Sequence, residues 1–464
     1  MPGIGGSALR GADGRPLWDI DPATGSRPLR AFRELCAPGH RLREADFDDG
    51  VRATRLMALP VPGLTRLLGG YRDLRTALFR HFDLVDGATY SEFPYDWRRP
   101  AAHNARLLAR HVDERLTLLR RKHPDAEVIL VAHSMGGLVA REYLERHDRH
   151  RSVRALLTLG TPFRGAVKAL DFMVNGPRVA QLRFAFLAAE FARLPSLYEL
   201  LPIYPFIRLG TSPQARLGGI EDVLDLLPDT GSAQARAAAE FLGRLNDSPR
   251  PEATRSFVGF GAPTLQQAVL SGSRLTVMRG NHLLPASHRT LDGDGTVALL
   301  SASPRSSEAK RLGSTPQNQT HSGLVTGRDA LQALVIQIGD LVREGAILDR
   351  GRRPAPQTEP ATGTKAPSAV PPLPPLPVTS ALSLDVADWY DIDEPVSVPG
   401  RAPAHAGSTL WYRLGDRRPT ELTVGDDGTF TVTPGPLTEG VRRLDLLTAR
   451  QGHVLTTDVI EVVR

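Results

Sequence analysis

A strand, a tight turn and a helix are predicted in succession around Ser134. Residues 128–131 read Val-Ile-Leu-Val, which is typical of a short buried strand. The turn 132–136 follows directly, and an amphipathic helix is predicted after it. Ala132 and Gly136 are small, and a sharp strand-to-helix turn tolerates only small residues at these two places. The pattern therefore predicts a nucleophile elbow, with Ala at the first position of the G-x-S-x-G motif.

A serine hydroxyl is a weak nucleophile that needs a general base, and the base needs an orienting acid. Downstream, Asp294 lies in a glycine-flanked loop before an apolar run, with Asp292 as its rival. His321 lies in a loop before the predicted helix Asp329–Glu344. Because elbow-type sites run in the order Ser, acid, His, we predict Ser134, Asp294 and His321 as catalytic residues.

Two backbone amides are expected to bind a developing oxyanion. One belongs to Met135, at the start of the helix after the elbow. The other is expected from the glycine-rich segment 2–7, whose glycines let the backbone approach a substrate closely. His133, beside the nucleophile, is expected to point away from the site.

Alternating strand and helix signals over residues 1–348 predict an α/β fold with a doubly wound, mostly parallel sheet. Apolar, aromatic stretches interrupt this rhythm at about 165–250, which indicates a helical lid. Residues 349–379 are rich in Pro and Ala and predict an extended linker. Residues 380–464 carry short alternating runs between turn signals, which predict a small antiparallel β-sandwich of accessory function.

Composition excludes several classes of protein. The net charge is +6, but the basic residues are scattered, so no nucleic-acid partner is expected. Cys36 is the one cysteine, which excludes an internal disulfide and a thiolate zinc site. No apolar run reaches the length of a transmembrane helix. The first residues lack the pattern of a signal peptide, which predicts a cytoplasmic location, or secretion if a signal peptide precedes Met1.

Several of these segments, taken together, resemble the lecithin:cholesterol acyltransferase family of α/β-hydrolases, which includes lysosomal phospholipase A2-like members. The most specific element is Pro-Tyr-Asp-Trp-Arg, and Asp96 and Arg98 within it are expected to form a buried pair that braces loops. The lid does not align by motif, which leaves the substrate open. The matching segments, in chain order and followed by His321, are 2–7, 94–98, 132–137, 159–165 and 292–297.

The resemblance implies an acyl-enzyme mechanism on a lipid ester, with a membrane surface as one place of encounter. Ser134 would attack the ester carbonyl, His321 would accept its proton and Asp294 would orient the imidazole. The amides of Ile4 and Met135 would bind the oxyanion, and no metal or organic cofactor is implied. Water or an alcohol would then take the acyl group, which makes the protein a hydrolase or an O-acyltransferase.

Two alternatives remain open at the level of sequence. One is an esterase or thioesterase that acts on non-lipid esters. The other is an inactive hydrolase-fold scaffold that binds a protein or a surface through residues 380–464.

Overall fold

The structure is a computed structural model of the 464-residue chain. It describes two stretches of the chain. The first is 1–352, apart from 20–27, 58–69, 149, 180–181, 184, 211–215, 227–230, 248–253, 273, 280–292 and 305–313. The second is 383–463, apart from 385–389, 392–394, 415–416, 438–439, 451 and 453.

The chain divides into two compact units, Met1–Val335 and Ile336–Arg464. The predicted linker, 349–379, overlaps the end of a helix that runs to Arg352, so the first four residues of the predicted linker are helical. Helix-forming residues continue to that point, because Arg, Glu, Ala, Ile and Leu occupy most of positions 343–350. Residues 353–379 of the predicted linker lie outside the described residues.

The first unit combines parallel strands with helices. Its strands are β1 Ser7–Arg10, β2 Pro16–Trp18, β3 Arg52–Leu56, β4 Val128–His133, β5 Val153–Leu159, β6 Arg178–Val179, β7 Leu182–Arg183, β8 Ile207–Leu209, β9 Arg216–Gly218, β10 Thr254–Gly259, β11 Leu265–Ser271, β12 Arg274–Arg279 and β13 Ser314–Gln317. Its helices are α1 Pro28–Cys36, α2 Arg72–His81, α3 Ala101–Arg120, α4 Met135–Arg146, α5 Val167–Asn175, α6 Ala188–Phe191, α7 Pro195–Tyr198, α8 Gly231–Asn246, α9 Gly323–Thr326 and α10 Arg328–Arg352, the last of which crosses into the second unit.

A four-stranded parallel sheet, in the order β13-β10-β5-β4, carries the elbow. On the outer side of β4, the Met1 amino group donates to Val131 O at 2.9 Å, and His133 N–H donates to Met1 O at 3.1 Å. These two bonds hold the glycine-rich segment 2–7 beside the end of β4. Since the carboxyl ends of parallel strands meet at one edge, the loops after these strands gather around Ser134.

Helix α3 is the amphipathic helix predicted from its apolar stripe. Its residues Leu108, Val112 and Leu116 are buried, as the periodicity of 3.6 residues requires. The apolar cluster that contains them also contains Leu138 of α4 and Phe191 of α6, so one continuous core joins the sheet region to the insertion.

The insertion at 165–250 contains short strands in addition to the predicted helices. Helices α5 to α8 lie within it, but β8 and β9 do as well. These two strands join β11 and β12, which lie beyond the predicted end of the lid, in a four-stranded sheet of order β12-β11-β8-β9. Short strands of three residues carry too little periodic pattern to be recognised before their pairing partners are known.

Glu199 connects the insertion to the sheet region. Its carboxyl group accepts a hydrogen bond of 2.7 Å from Ala101 N–H, at the first turn of α3. That position stabilises negative charge, because the first N–H groups of a helix lack intrahelical acceptors. Burial nevertheless raises the pKa of Glu199 to about 8. The contact is therefore a neutral or charged helix cap, depending on pH.

Arg98 is buried and is the centre of an ion network, as predicted for the Asp96–Arg98 pair. Its Nε and Nη2 donate to the two carboxylate oxygens of Asp96 at 2.9 and 2.7 Å. Its Nη1 donates to Asp49 at 2.8 Å and to Leu35 O at 2.9 Å. The network joins the loops of Asp96 and Asp49 to the end of helix α1, and every described donor of the guanidinium has an acceptor.

The second unit contains two β-sheets around their own apolar cluster, which includes Val398, Leu410, Phe430 and Leu444. One sheet has the order β14-β16-β19, and the other β15-β21-β20-β17-β18. The pairings are antiparallel except for β15 with β21. The strands are β14 Ser383–Leu384, β15 Tyr390–Asp391, β16 Val398–Arg401, β17 Thr409–Leu414, β18 Thr420–Thr423, β19 Thr429–Val432, β20 Gly440–Leu447 and β21 Val454–Val463.

Replacing Arg98 is expected to destabilise the first unit strongly. Arg98→Met leaves the Asp96 and Asp49 carboxylates without their buried partner, which costs about 3–5 kcal/mol of unfolding free energy. Arg52→Met is the matched control, because Arg52 pairs with Asp48 where both side chains are more than half exposed. That control is expected to lose about 1 kcal/mol at most. Urea denaturation of both variants measures the difference, and equal losses would contradict the buried network.

Candidate active site

The backbone of Ser134 is strained. Its φ is +52° and its ψ −128°, a region that residues with a Cβ rarely adopt. Such a conformation costs about 1–3 kcal/mol and persists only where the surroundings hold it. Ser134 N–H donates to Leu159 O at 2.8 Å, and Thr161 Oγ1 donates to Ser134 O at 2.9 Å. The carboxyl end of β5 therefore holds both sides of the turn.

Glycines make the elbow possible at two positions of α4. A methyl group on Gly136 would lie 2.3 Å from Pro2 O, and one on Gly137 would lie 1.9 Å from Thr161 Oγ1. Neither distance is tolerable, so the helix packs against both segments at backbone distance. This contact brings the N-terminal loop and the β5 loop onto the nucleophile.

The structure brings the three predicted catalytic side chains together. His321 Nε2 lies 2.9 Å from Ser134 Oγ, and His321 Nδ1 lies 2.7 Å from Asp294 Oδ2. An ionised carboxylate only accepts hydrogen bonds, so Nδ1 carries the proton and Nε2 accepts from the serine hydroxyl. All three residues are buried. This tautomer is the one that a general base requires.

Asp294 is fixed by hydrogen bonds on both sides of its backbone and on its carboxylate. Its Oδ1 accepts from Thr296 N–H at 2.9 Å and from Val297 N–H at 2.7 Å, which leaves Oδ2 for His321. Its own carbonyl accepts from His321 N–H at 2.7 Å. Asp292, the rival acid, lies outside the described residues.

Two further glycines leave the space that the acid and the base occupy. A methyl group on Gly160, where φ is +59°, would lie 2.8 Å from Asp294 Oδ2 and 3.0 Å from His321 Nδ1. A methyl group on Gly259 would lie 2.5 Å from Asp294 Cβ. Both glycines stand at the ends of strands β5 and β10, so the sheet edge itself is shaped around the acid.

The glycine-rich N-terminal segment forms a β-turn against Ser134. Gly6 N–H donates to Gly3 O at 3.0 Å, and Gly5 has φ +69°, as the third residue of a type II turn requires. A methyl group on Gly3 would lie 2.8 Å from Ser134 Cβ. Ile4, the second residue of the turn, lines the same cavity as Ser134.

Met135, the other predicted oxyanion donor, is the first residue of α4. The amides of the first helical turn have no intrahelical acceptor, so the Met135 N–H is available at the elbow. The structure thus places Ile4 and Met135 on two segments that both contact Ser134.

The Pro-Tyr-Asp-Trp-Arg element clamps the N-terminal turn. Tyr95 Oη donates to Pro2 O at 2.9 Å, and Tyr95 N–H donates to Ser7 Oγ at 3.0 Å. Trp97 Nε1 donates to Ser7 O at 3.2 Å. Arg98 holds the element itself in place, so the buried ion network also supports the geometry at Ser134.

An apolar cavity opens beside Ser134, and its volume is about 640 Å³ when the space open to solvent is included. Trp18, Trp97, Phe32 and Phe172 contribute aromatic walls. Trp18 contacts Trp97 at 5.2 Å and Phe32 at 5.9 Å between ring centroids. The walls come from both the sheet region and the insertion, so the insertion completes the cavity.

Sequence reasoning missed several residues around the site. His133 was expected to point away, but its ring lies 4.7 Å from the ring of His321. Tyr71 bonds to His133 at 2.9 Å, and nothing in its local sequence indicates that role. Gly160 and Thr161 follow strand β5 directly, and the rule that sites form at carboxyl ends of parallel strands could have found them.

Within the described residues, no group of three or more His, Cys, Asp or Glu side chains is arranged to hold a metal ion. Among the same residues, no helix combines the length and the apolar character that crossing a membrane requires.

A family model matches part of this chain. Residues 79–209 match the model of lecithin:cholesterol acyltransferase. The chain resembles this family. The match covers the Pro-Tyr-Asp-Trp-Arg element, the elbow and the start of the insertion, and it confirms the resemblance inferred from the motifs.

Two curated relatives carry the name "Lysosomal phospholipase A and acyltransferase". The human protein is 34% identical over 88 residues, which are 18% of this chain and 20% of its own length. The dog protein is 33% identical over 88 residues, 18% of this chain and 21% of its own. The chain thus spans about a fifth of the length of these curated relatives.

A solved structure matches the fold more extensively. A chain in the crystal structure of the Tle4–Tli4 complex aligns with a TM-score of 0.50 over 74% of this chain and 97% of that chain, at 16% identity. The α/β-hydrolase fold with a mostly parallel sheet, and the separate antiparallel sheets at the C-terminus, are confirmed.

Adding a methyl group at Gly160 is expected to separate Asp294 from His321. We expect Gly160→Ala to slow fluorophosphonate labelling of Ser134 by about 10-fold or more, since small misplacements at reacting groups have effects of this size. Gly14→Ala is the matched control, because Gly14 also has a positive φ, +78°, but no atom lies within 4 Å of an added methyl. Labelling kinetics measure both variants, and similar rates would contradict the proposed packing.

Proposed function

We propose that the protein is a serine-dependent lipid acyl hydrolase or O-acyltransferase. The observation that carries the proposal is the chain of two hydrogen bonds from Ser134 Oγ to His321 and from His321 to Asp294, at 2.9 and 2.7 Å. These two hydrogen bonds activate the serine hydroxyl, because the histidine can take its proton while the carboxylate stabilises the imidazolium.

In this mechanism, Ser134 Oγ attacks the carbonyl carbon of an ester and its proton moves to His321 Nε2. The new oxyanion is bound by the amides of Ile4, on the N-terminal turn that contacts Ser134, and of Met135, at the start of the helix after Ser134. His321 then returns the proton to the leaving alcohol, which produces an acyl-enzyme on Ser134. Water or an alcohol, deprotonated by His321, then attacks the acyl-enzyme; the bond to Ser134 Oγ breaks, His321 returns the proton to Oγ, and a fatty acid or a new ester is released.

The apolar cavity beside Ser134 supports a lipid substrate. Its lining is almost entirely apolar or aromatic, and burying the methylenes of an acyl chain there is favourable by about 0.8 kcal/mol per CH₂. A short, polar acyl group would leave most of this surface unoccupied. The names of the curated relatives, a phospholipase and acyltransferase, agree with an acyl chain in this place.

Removing the nucleophile is expected to abolish turnover. We expect Ser134→Ala to lower kcat for a p-nitrophenyl ester by at least about 10³-fold, since the hydroxyl is the attacking group. Ser91→Ala is the control, because Ser91 is exposed and bonds to His111 instead. Mass spectrometry of phospholipid vesicles with a long-chain alcohol then separates free fatty acid from alkyl ester. The absence of acyl products from both substrates with the wild-type protein would refute the proposal.

Filling the cavity is expected to change the preference for acyl chain length. Ala169 of α5 lines the cavity and is buried. We expect Ala169→Leu to lower kcat/KM for octanoyl and longer esters by about 10-fold, because added methylenes exclude part of the chain, and to leave acetyl esters unchanged. Ala189→Leu, at an exposed position of α6, is the control. Equal losses on short and long esters would argue against acyl binding in this cavity.

A further inference from the structure

His133 is a buried histidine that the mechanism does not use, and both of its ring nitrogens have partners. Nδ1 lies 2.9 Å from Tyr71 Oη, and Nε2 lies 3.1 Å from the backbone carbonyl oxygen of His321. Tyr71 Oη also lies 2.8 Å from Gly3 N. A continuous series of three hydrogen bonds therefore runs from the N-terminal turn, through Tyr71 and His133, to His321.

The direction of each hydrogen bond follows from the groups involved. The Gly3 amide only donates, so Tyr71 Oη accepts from it and directs its own proton to His133 Nδ1. The His321 carbonyl only accepts, so His133 Nε2 carries the proton and donates it. Burial raises the pKa of the Tyr71 phenol, which keeps its proton in place. Neutral His133 in the Nε2–H tautomer satisfies all three bonds and gives the Tyr71 hydroxyl proton an acceptor as well.

Electrostatics favours this neutral state. Burial, and next the neighbouring His321, lower the pKa of His133 well below its ordinary value. The rings of the two histidines lie 4.7 Å apart. A charged His133 at that distance would repel the imidazolium that forms on His321 during acyl transfer, whereas a neutral ring does not.

The two ends of the series lie on different segments that both contact Ser134. Gly3 begins the turn that carries Ile4, and a methyl group on Gly3 would lie 2.8 Å from Ser134 Cβ. The other end is the backbone of the residue whose Nε2 lies 2.9 Å from Ser134 Oγ. The series thus connects the turn that carries one candidate oxyanion donor to the backbone of the general base.

We propose that Tyr71 and His133 are positioning residues that couple the Gly3–Gly6 turn to His321, so that the oxyanion donor and the base keep a common placement relative to Ser134. This inference rests on the proposed function, because it assigns the two residues to the same acyl transfer. Neither side chain touches the substrate, and both act through groups that do.

Removing the Tyr71 hydroxyl tests the coupling. We expect Tyr71→Phe to lower kcat for an ester substrate by about 10- to 100-fold and to change KM by less than about 2-fold, since it misplaces reacting groups without altering the acyl cavity. Tyr198→Phe is the matched control, because Tyr198 is equally buried and its Oη donates to Ala192 O at 2.8 Å, away from the series. A Tyr71→Phe variant that behaves like Tyr198→Phe would overturn the proposal.

Substitutions at His133 separate positioning from general packing. His133→Gln retains an amide donor for the His321 carbonyl and an acceptor for Tyr71, so it is expected to keep more activity than His133→Leu. In the double variant Tyr71→Phe/His133→Leu, the loss in kcat should equal that of His133→Leu alone. His133→Leu already interrupts the hydrogen-bond series, so removing the Tyr71 hydroxyl has no further effect. If the kcat loss of the double variant instead equals the product of the two single-variant losses, the two residues have unrelated structural roles and the coupling is overturned.

A measurement without turnover separates this inference from the proposed function. Nitrogen-15 NMR of histidine-labelled protein at pH 7, assigned by the signals lost in His133→Gln, is expected to show His133 neutral and protonated at Nε2. Protonation at Nδ1 would overturn the series even if esters are cleaved. A wild-type protein that neither cleaves esters nor labels at Ser134 would instead refute the proposed function, and the catalytic role of the series with it.

Discussion

The backbone of Ser134, held at φ +52°, is the constraint on which the surrounding structure depends. A residue with a side chain stays in this conformation only when its neighbours exclude the relaxed alternatives. Three segments do so here, because β5 bonds to both sides of the turn, α4 packs its glycines against the loops, and the N-terminal turn closes the remaining side. The same contacts that hold the strain also bring the candidate oxyanion donors to the nucleophile.

The Pro-Tyr-Asp-Trp-Arg element both positions the N-terminal turn and contributes to the apolar cavity. Tyr95 and Trp97 bond to the N-terminal loop, which places the turn against Ser134, and Trp97 also forms a wall of the apolar cavity. Arg98 and its carboxylates hold the motif from behind. A buried ion pair is weak support for stability by itself, since desolvation offsets much of its attraction. Its value here is orientation, because the bidentate contact allows the loop one placement.

The insertion is part of the site rather than an appendage. Phe172 and Phe191 pack at 5.3 Å, and Phe191 packs at 4.8 Å on Phe32 of α1, so an aromatic series runs from the insertion into the sheet region. Glu199 adds a polar contact at the start of α3. The cavity exists only when these pieces are assembled, which explains why no local motif describes it.

The sequence by itself determined the elbow, the order of acid and base, the α/β fold and the β-rich C-terminal unit. These features have local causes: periodicity sets strands and helices, and a turn with small residues around Ser134 admits one backbone path. Asp294 and His321 could be nominated because each lies in a loop at a recognisable place along an ordered pattern. The Asp96–Arg98 pair was expected from the Pro-Tyr-Asp-Trp-Arg element that carries the family resemblance.

Only the tertiary structure decided which residues touch these groups. Tyr71 contacts His133 across 62 positions of sequence and His133 contacts His321 across 188, and no periodic signal encodes such contacts. The strands β8 and β9 could not be predicted from the sequence, because three residues form a strand only when a neighbouring strand supplies the hydrogen-bond partners. Gly160 and Gly259 look like ordinary turn glycines until Asp294 is placed against them. Local pattern specifies the elements, whereas a site depends on distances between elements, which packing alone sets.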